Sequence, residues 1–393
     1  MTDPLEPRRS AANVIGRVLR SGAYSNVLLE SSTTTQSPPE RARTKALTYG
    51  VLRRLETIDR ALEKAADRPT AEVDSDLVDR LRVSTFELLY SRVPTAVAVS
   101  AGVDLVKEKN SRATGFANAV LRRVAEQPRP DSDLLSLELP DWLEGDLTGD
   151  WDAAEIAGFA IESGTDPGRI VRFDHDADPV GKPVLDIEAA YRIEAGPLPA
   201  GSHVQDAASI AVGNAVDASR GMTVADLAAA PGGKSAHLHD QVGEEGLVIA
   251  VDRHQRRARD GRRHVPDVRW VVADARTPPL PKASFQRVLL DAPCSGLGTL
   301  RRRPEIRFRI QQSDVDRLAA LQRELIESSL ELVAGGGRLV YSVCTVTPQE
   351  TIDAIEPYDF KPAPVPGRIW GKGTLMAPHL TATDGMFVAI HDA

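Results

Sequence analysis

The chain has very little cysteine: two residues, Cys294 and Cys344, in 393. Two thiols cannot build a disulfide framework, and no Cys/His spacing resembles a zinc site. No apolar run is long enough to span a membrane. The stretch Met1 to Arg9 lacks the basic-then-apolar order of a signal peptide. There is also no excess of positive charge: 48 Lys and Arg stand against 56 Asp and Glu, a net charge of −8. Nucleic-acid-binding domains are usually basic, so this balance argues weakly against them, although binding depends on local patches. Together these absences describe a cytoplasmic, metal-free protein with reduced thiols. Its length suits two or more domains with sizeable cores.

Three regions differ in pattern. Residues 1–127 read as a bundle of helices. Ala11, Val14, Ile15, Val18 and Leu19 recur at helical spacing, as do Leu77, Leu81 and Leu88. Val97, Ala101, Val103 and Leu105 continue the pattern, and Phe116 to Val124 forms a last amphipathic segment. Ser37-Pro38-Pro39, Arg68-Pro69 and Val93-Pro94 separate the helices. Residues 128–200, entered through Gln127-Pro128-Arg129-Pro130, read as an acidic connector with short strands at Ile170–Phe173 and Pro183–Leu185. From about Gly201 strands alternate with helices. The strand candidates are Thr223–Leu227, Leu247–Val251, Val268–Val272, Arg287–Leu290 and Arg338–Ser342, with a helix over Ser313 to Leu332. This order predicts a doubly wound α/β domain with a mostly parallel sheet, and Met386–Ile390 as an edge strand.

Both cysteines follow apolar β-rich runs: Cys294 after Val288-Leu289-Leu290-Asp291-Ala292-Pro293, and Cys344 after Leu339-Val340-Tyr341-Ser342-Val343. An α/β sheet places its chemistry at such strand ends, and two thiols there suggest one nucleophile and one helper. The first strand leads into Ala228-Ala229-Ala230-Pro231-Gly232-Gly233-Lys234, which is neither a Walker A loop nor G-x-G-x-x-G. Its glycines let a backbone approach a ligand, at the N-terminus of the next helix. Asp252 and Asp274 end the next two strands, where one acid can accept from ribose hydroxyls and the other can meet an adenine amino group. Loop and acids together favour a nucleoside-type cofactor. Arg301, Arg302, Arg303, Arg307 and Arg309 crowd together after Cys294, and read equally as a solvated charged loop or a phosphate-binding patch.

The segments Ala229 to Lys234, Asp291 to Gly296 and Tyr341-Ser342-Val343-Cys344, in this order, resemble the RsmB/Sun (Fmu) family of RNA 5-methylcytosine methyltransferases. Tyr49-Gly50-Val51-Leu52-Arg53 and Gly115 to Arg122 resemble the NusB-like helical domain of its bacterial branch. Ala228, Val343 and Thr351 stand where members often have Cys, Thr and Asn. The resemblance spans nearly the whole chain. It implies a Rossmann-like class I methyltransferase domain over 201–393, preceded by an all-α NusB-like RNA-binding domain over 1–127 and a small RNA-binding connector over 128–200. It also implies S-adenosyl-L-methionine as cofactor, held by Ala228, Ala229, Ala230, Pro231, Gly232, Gly233, Lys234, Asp252, Asp274 and Asp291. By the same resemblance Cys344 is the nucleophile and Cys294 assists product release. Asp291 and Pro293 meet the base, and Arg301, Arg302 and Arg303 meet RNA. The expected partner is small-subunit (16S) ribosomal RNA, for a monomer with no membrane and no metal. Transfer RNA is the rival substrate. A non-catalytic NusB-like RNA-binding protein and a small-molecule methyltransferase are the rival classes.

Overall fold

The computed structural model of the chain describes residues 3–129, 138–194 and 196–393. Pro130 to 137 and Ala195, which the sequence assigns to the connector, lie outside the described residues. The chain divides into two compact units, Met1–Pro140 with Arg302–Arg309, and Asp141–Arg301 with Ile310–Ala393.

The first unit is helical: α1 (Glu6–Ser21), α2 (Ser25–Ser32), α3 (Pro38–Arg53), α4 (Leu55–Ala66), α5 (Ser75–Tyr90), α6 (Thr95–Lys107) and α7 (Thr114–Ala125). The expected breakers set its boundaries. Ser37 and Glu40 form a capping box on α3, Asp67 ends α4 in the left-handed region before Arg68-Pro69, and Asp74 caps α5 through Leu77 N. Ile15, Val51, Ile58, Leu81 and Leu121 form the core. Val97, which the periodicity grouped with Ala101, is instead 51% exposed. α6 turns Ala98 and Gly102 inward, each one position beyond Val97 and Ala101, while Leu105 is buried as expected.

Residues 302–309 belong to this unit, and within it Arg307 and Arg309 are drawn onto backbone carbonyls, against the reading of an open arginine patch, while Arg303 stays exposed. Glu305 is buried and accepts from Ser25 N at 2.9 Å and from the Ser25 hydroxyl. Arg307 is buried too, and donates to Leu52 O at 3.0 Å and to Glu138 O. Arg309 donates to Ala23 O, and both Arg303 and Arg309 lie over the Tyr24 ring. A guanidinium engaged by backbone carbonyls in the interior is not available to a phosphate.

The second unit opens with α8 (Asp141–Leu147) and α9 (Ala153–Ser163). A small antiparallel sheet comes next: β1 (Arg169–Phe173), β2 (Lys182–Pro183), β3 (Ala190–Ile193) and β4 (Ser202–Val204), in the order β2-β3-β1-β4. Rather than standing apart as a connector, this sheet shares one hydrophobic core with the larger α/β layers, through Ile170, Val184, Ile187 and Ala190. Those layers begin with α10 (Ala207–Ala215), β5 (Thr223–Leu227), α11 (Gly233–Val242), β6 (Leu247–Asp252), α12 (Gln255–His264), β7 (Arg269–Val272), β8 (Phe285–Asp291), α13 (Gln312–Leu330) and β9 (Val333–Val343). The chain ends with α14 (Ile352–Ile355), β10 (Lys361–Pro362), β11 (Arg368–Trp370), β12 (Gly373–Met376), α15 (Pro378–Thr381) and β13 (Met386–Asp392).

The main sheet runs β11-β12-β13-β9-β8-β5-β6-β7, with β10 beside β13. Its β9-β8-β5-β6-β7 part is parallel and the remainder antiparallel. The order reverses between β5 and β8, and α/β folds bind ligands at such a switch, beyond the carboxyl ends of the strands. β13 is not an edge strand, as its short apolar run suggested, but lies between β9 and β12 with Met386 to Ile390 all buried. Among the described residues no helix is long and apolar enough to cross a membrane.

Asp226 sits inside β5, 1% exposed, and accepts from the Ser235 hydroxyl. Burial pushes its carboxyl from 3.8 up to about 7, against the opposing pull of Ser235. The folded chain therefore keeps a proton that the unfolded chain has released. That stabilisation is complete below about pH 4 and lost as pH rises through about 7. Asp226→Asn is expected to flatten this slope, worth on the order of 3 kcal/mol between pH 5 and 8, in denaturant titrations run over that range.

Candidate active site

The site forms where β8 and β9 end side by side. In their parallel register Asp291 stands opposite Ser342, and Ala292 N donates to Ser342 O at 2.9 Å. Ser342 Oγ donates to Asp291 Oδ1 at 2.9 Å, and Lys234 Nζ to Asp291 Oδ2 at 2.7 Å. Burial pulls the Lys234 ammonium down, but the Asp291 carboxylate outweighs it and keeps the side chain charged. Lys234 thus reaches from the loop after β5 to the strand that leads to Cys294.

Just beyond, Cys294 Sγ and Cys344 Sγ are 3.3 Å apart, both half-buried. The hydrogen bond with Cys344 comes first, and burial second, in pushing the Cys294 thiol well above its ordinary range. The Cys294 thiol is thereby held protonated.

The two cysteine loops are tied together by a residue the sequence reading passed over. Glu350 is fully buried. It accepts from Ser295 N at 2.8 Å, Thr347 Oγ1 at 2.9 Å, Gln322 Nε2 at 3.1 Å and the Ser295 hydroxyl. Four donors replace the hydration of this carboxylate. Gln322 Nε2 also donates to Pro293 O at 2.9 Å, and Tyr341 OH to Gln322 Oε1 at 3.1 Å. Ser295 Oγ lies 2.7 Å from Thr345 Oγ1, and Gly298 N donates to Cys344 O at 3.0 Å. The residues flanking each thiol are thereby bound to the other thiol's loop. The only local signal of this role is a Glu six residues beyond Cys344, on a turn after β9.

The cofactor-type features meet at the neighbouring strand ends. Ala228 and Gly232 have positive φ, +60° and +107°, which folds the loop back to start α11 at Gly233. A Cβ on Gly232 would come within 3.0 Å of the Trp270 ring, whereas one on Gly233 would meet open space. The exposed side of the loop thus presents backbone to a ligand. Asp252, buried at the end of β6, accepts from His254 N at 2.8 Å and Ala230 N at 3.3 Å. Asp274, beyond β7, pairs with Arg276 at 2.7 Å, a hydrogen bond that holds its carboxyl down to about 2. Two ionised or buried acids and a backbone loop, all at the carboxyl edge of one sheet, fit a nucleoside-type cofactor.

Pro293 is exposed beside Cys294. Arg301 is buried, donating to Ala382 O at 2.6 Å and Thr383 O at 3.1 Å. Arg302 is half-buried and engaged, and both it and Arg303 fall in the helical unit. Of the departures from the family pattern, Val343 is buried in the sheet opposite Phe387, and Thr351 donates to Thr347 O at 2.7 Å.

Glu350→Ala strands these buried donors. It is expected to cost on the order of 3 kcal/mol, read as a fall in Tm. Cys294 should then be alkylated faster by iodoacetamide, as read by peptide mass spectrometry, with Glu350→Gln intermediate in both.

The model of the family "16S rRNA methyltransferase RsmB/F" matches residues 214–391, and that of the NusB family matches residues 5–126. Ribosomal RNA small subunit methyltransferase B of Thermus thermophilus is 33% identical, across 91% of this chain and 90% of its own. The putative methyltransferase Rv1407 of Mycobacterium tuberculosis is 31% identical, across 98% and 96%. The crystal structure of PH0851 shares the fold over 99% of both chains, with a TM-score of 0.82 at 23% identity. With a NusB match ahead of a methyltransferase match, and 33% identity across nine-tenths of both sequences, the chain belongs to the RsmB/F family of S-adenosylmethionine-dependent small-subunit ribosomal RNA methyltransferases.

Proposed function

We propose that the protein methylates carbon 5 of a cytosine in 16S ribosomal RNA, in the cytoplasm, through a covalent bond between Cys344 and carbon 6. The observation that carries this reading is the pair of sulfurs 3.3 Å apart at two adjacent strand ends, beside the Lys234–Asp291 pair. Carbon 5 of cytosine is a poor nucleophile. A thiolate that adds to carbon 6 breaks the ring conjugation and makes carbon 5 enamine-like. S-adenosylmethionine, when bound along Ala228 to Lys234, Asp252 and Asp274, supplies the methyl group. Asp291 and the backbone at Pro293 hydrogen-bond the cytosine edge and favour protonation of its ring nitrogen. The base leaves any stack to reach these atoms.

The coupling of the two thiols orders the steps. In the free enzyme the neighbouring Cys344, and burial, hold the proton on Cys294. Once the Cys344 sulfur is bonded to carbon 6, no negative sulfur can stand beside Cys294, which releases its own proton to solvent and becomes the thiolate base. Cys294 then takes the proton from carbon 5. The electron pair left behind re-forms the ring double bond and expels the Cys344 thiolate. The helical domain contributes to holding the RNA.

Incubation with 16S rRNA and tritiated S-adenosylmethionine is expected to label cytosine; label on no RNA would end the enzymatic reading. Cys344→Ala is expected to be inactive and free of adduct, whereas Cys294→Ala accumulates a protein–RNA adduct on denaturing gels. Interchanged phenotypes would reverse the two roles. Bisulfite sequencing of ribosomal and transfer RNA from a deletion strain is expected to show one lost methylcytosine in 16S rRNA. A loss confined to transfer RNA would overturn the substrate.

A further inference from the structure

In the 301–303 run Arg301 is buried and Arg302 half-buried, whereas the second unit carries a denser exposed cluster elsewhere. Between Arg253 and Arg269 lie seven arginines and only two carboxylates, Asp260 and Asp267, in a chain whose net charge is −8. Arg253, Arg256, Arg257, Arg259, Arg262, Arg263 and Arg269 are all exposed. Arg263 makes one loose pair with Asp260 at 3.6 Å. Arg256, Arg257, Arg259, Arg262 and Arg269 have no ion-pair partner among the described residues.

An ordinary solvated helix interleaves signs so that residues three and four apart attract. On α12, Arg256 and Arg259, Arg259 and Arg262, and Arg259 and Arg263 repel at those spacings. Such a face weakens its own helix and is relieved by a polyanion laid along it. Arg256 to Arg263 spans about 10 Å of helix axis. The inner face is correspondingly slight, with only Ala258 and Gly261 buried. A Cβ on Gly261 would stand 2.3 Å from the Trp270 ring, so the helix lies directly on that indole. The same indole packs under Gly232 of the cofactor loop, and its Nε1 donates to Val265 O at 3.2 Å. The arginine face is thus mounted on the loop beside the thiols, and its first residue comes directly after Asp252.

We propose that the exposed face of α12, with Arg253 and Arg269, is a phosphate-binding surface that holds the substrate RNA beside the cofactor end of the sheet. This rests on the reading of the protein as an RNA methyltransferase. It assigns α12 the backbone contacts that position a nucleic acid without reading its sequence.

The test compares wild type with the quadruple variant Arg256→Gln/Arg259→Gln/Arg262→Gln/Arg263→Gln, and with Lys282→Gln/Arg317→Gln as a charge control elsewhere in the unit. Protein-free 16S rRNA is the probe, bound from 50 to 300 mM KCl. The quadruple variant is expected to lower the slope of log affinity against log salt by about two to three, at roughly 0.7 per lost phosphate contact. Its affinity at 100 mM KCl should fall at least tenfold. In methyl-transfer assays KM for RNA should rise with kcat largely retained. The charge control should behave as wild type. If the quadruple variant fails to fold by circular dichroism, the pairs Arg256/Arg259 and Arg262/Arg263 are substituted separately and read by the same slope. An unchanged slope and affinity in a folded variant would overturn the proposal. So would unchanged RNA binding with loss of binding to vesicles containing one-third phosphatidylglycerol, which would assign the face to a lipid surface. Absence of methyl transfer in the wild type would instead sink the reading on which the surface rests, and leaves the salt slope to be judged separately.

Discussion

Asp291 and Ser342 face each other across the parallel pair of β8 and β9, and their 2.9 Å hydrogen bond marks the last rung before both strands turn into cysteine loops. Moving the register by one residue would send each loop to the opposite face of the sheet and part the sulfurs. Beyond the rung, strand pairing stops, and Glu350 takes over together with the backbone bond from Gly298 N to Cys344 O. Glu350 collects donors from both loops and, through Gln322, fixes Pro293 O as well. The sulfur separation is thus set by the sheet on one side and by a buried carboxylate on the other.

Lys234 is balanced by Asp291, and Glu350 is satisfied by neutral donors. The hydrogen bond with Cys344 and burial, with Glu350 and Asp291 nearby, hold the proton on Cys294.

What was legible in the sequence is what is local. Apolar runs closed by Asp226-Leu227, Asp252 and Asp291 mark strands at their carboxyl ends, and the small-residue loop with Lys234 marks the turn between them. The helical half was legible from its periodicity and its prolines, apart from the phase of α6. What the sequence hid depends on distant pairing. Met386 to Ile390 looks the same as an edge or an inner strand, because only β11 and β12 outside it decide the matter. Glu350 looks like a surface residue until Ser295, Thr347 and Gln322 surround it. The 301–309 arginines and those of α12 are equally dense in sequence. One set is largely drawn onto buried carbonyls and the Tyr24 ring and the other is left in solvent, a difference set by which chain segments pass nearby.

The segment 302–309 completes the helical unit from about 160 residues downstream of Pro140. On the ribosome, at roughly 5–20 residues per second, that gap lasts on the order of ten seconds. Throughout it Ser25, Leu52 O and Ala23 O wait for Glu305, Arg307 and Arg309. The first domain to emerge is therefore among the last to be finished, and translation has already passed Cys294 when it closes. A nascent chain cut short before that point carries neither a complete helical unit nor a reactive pair of thiols.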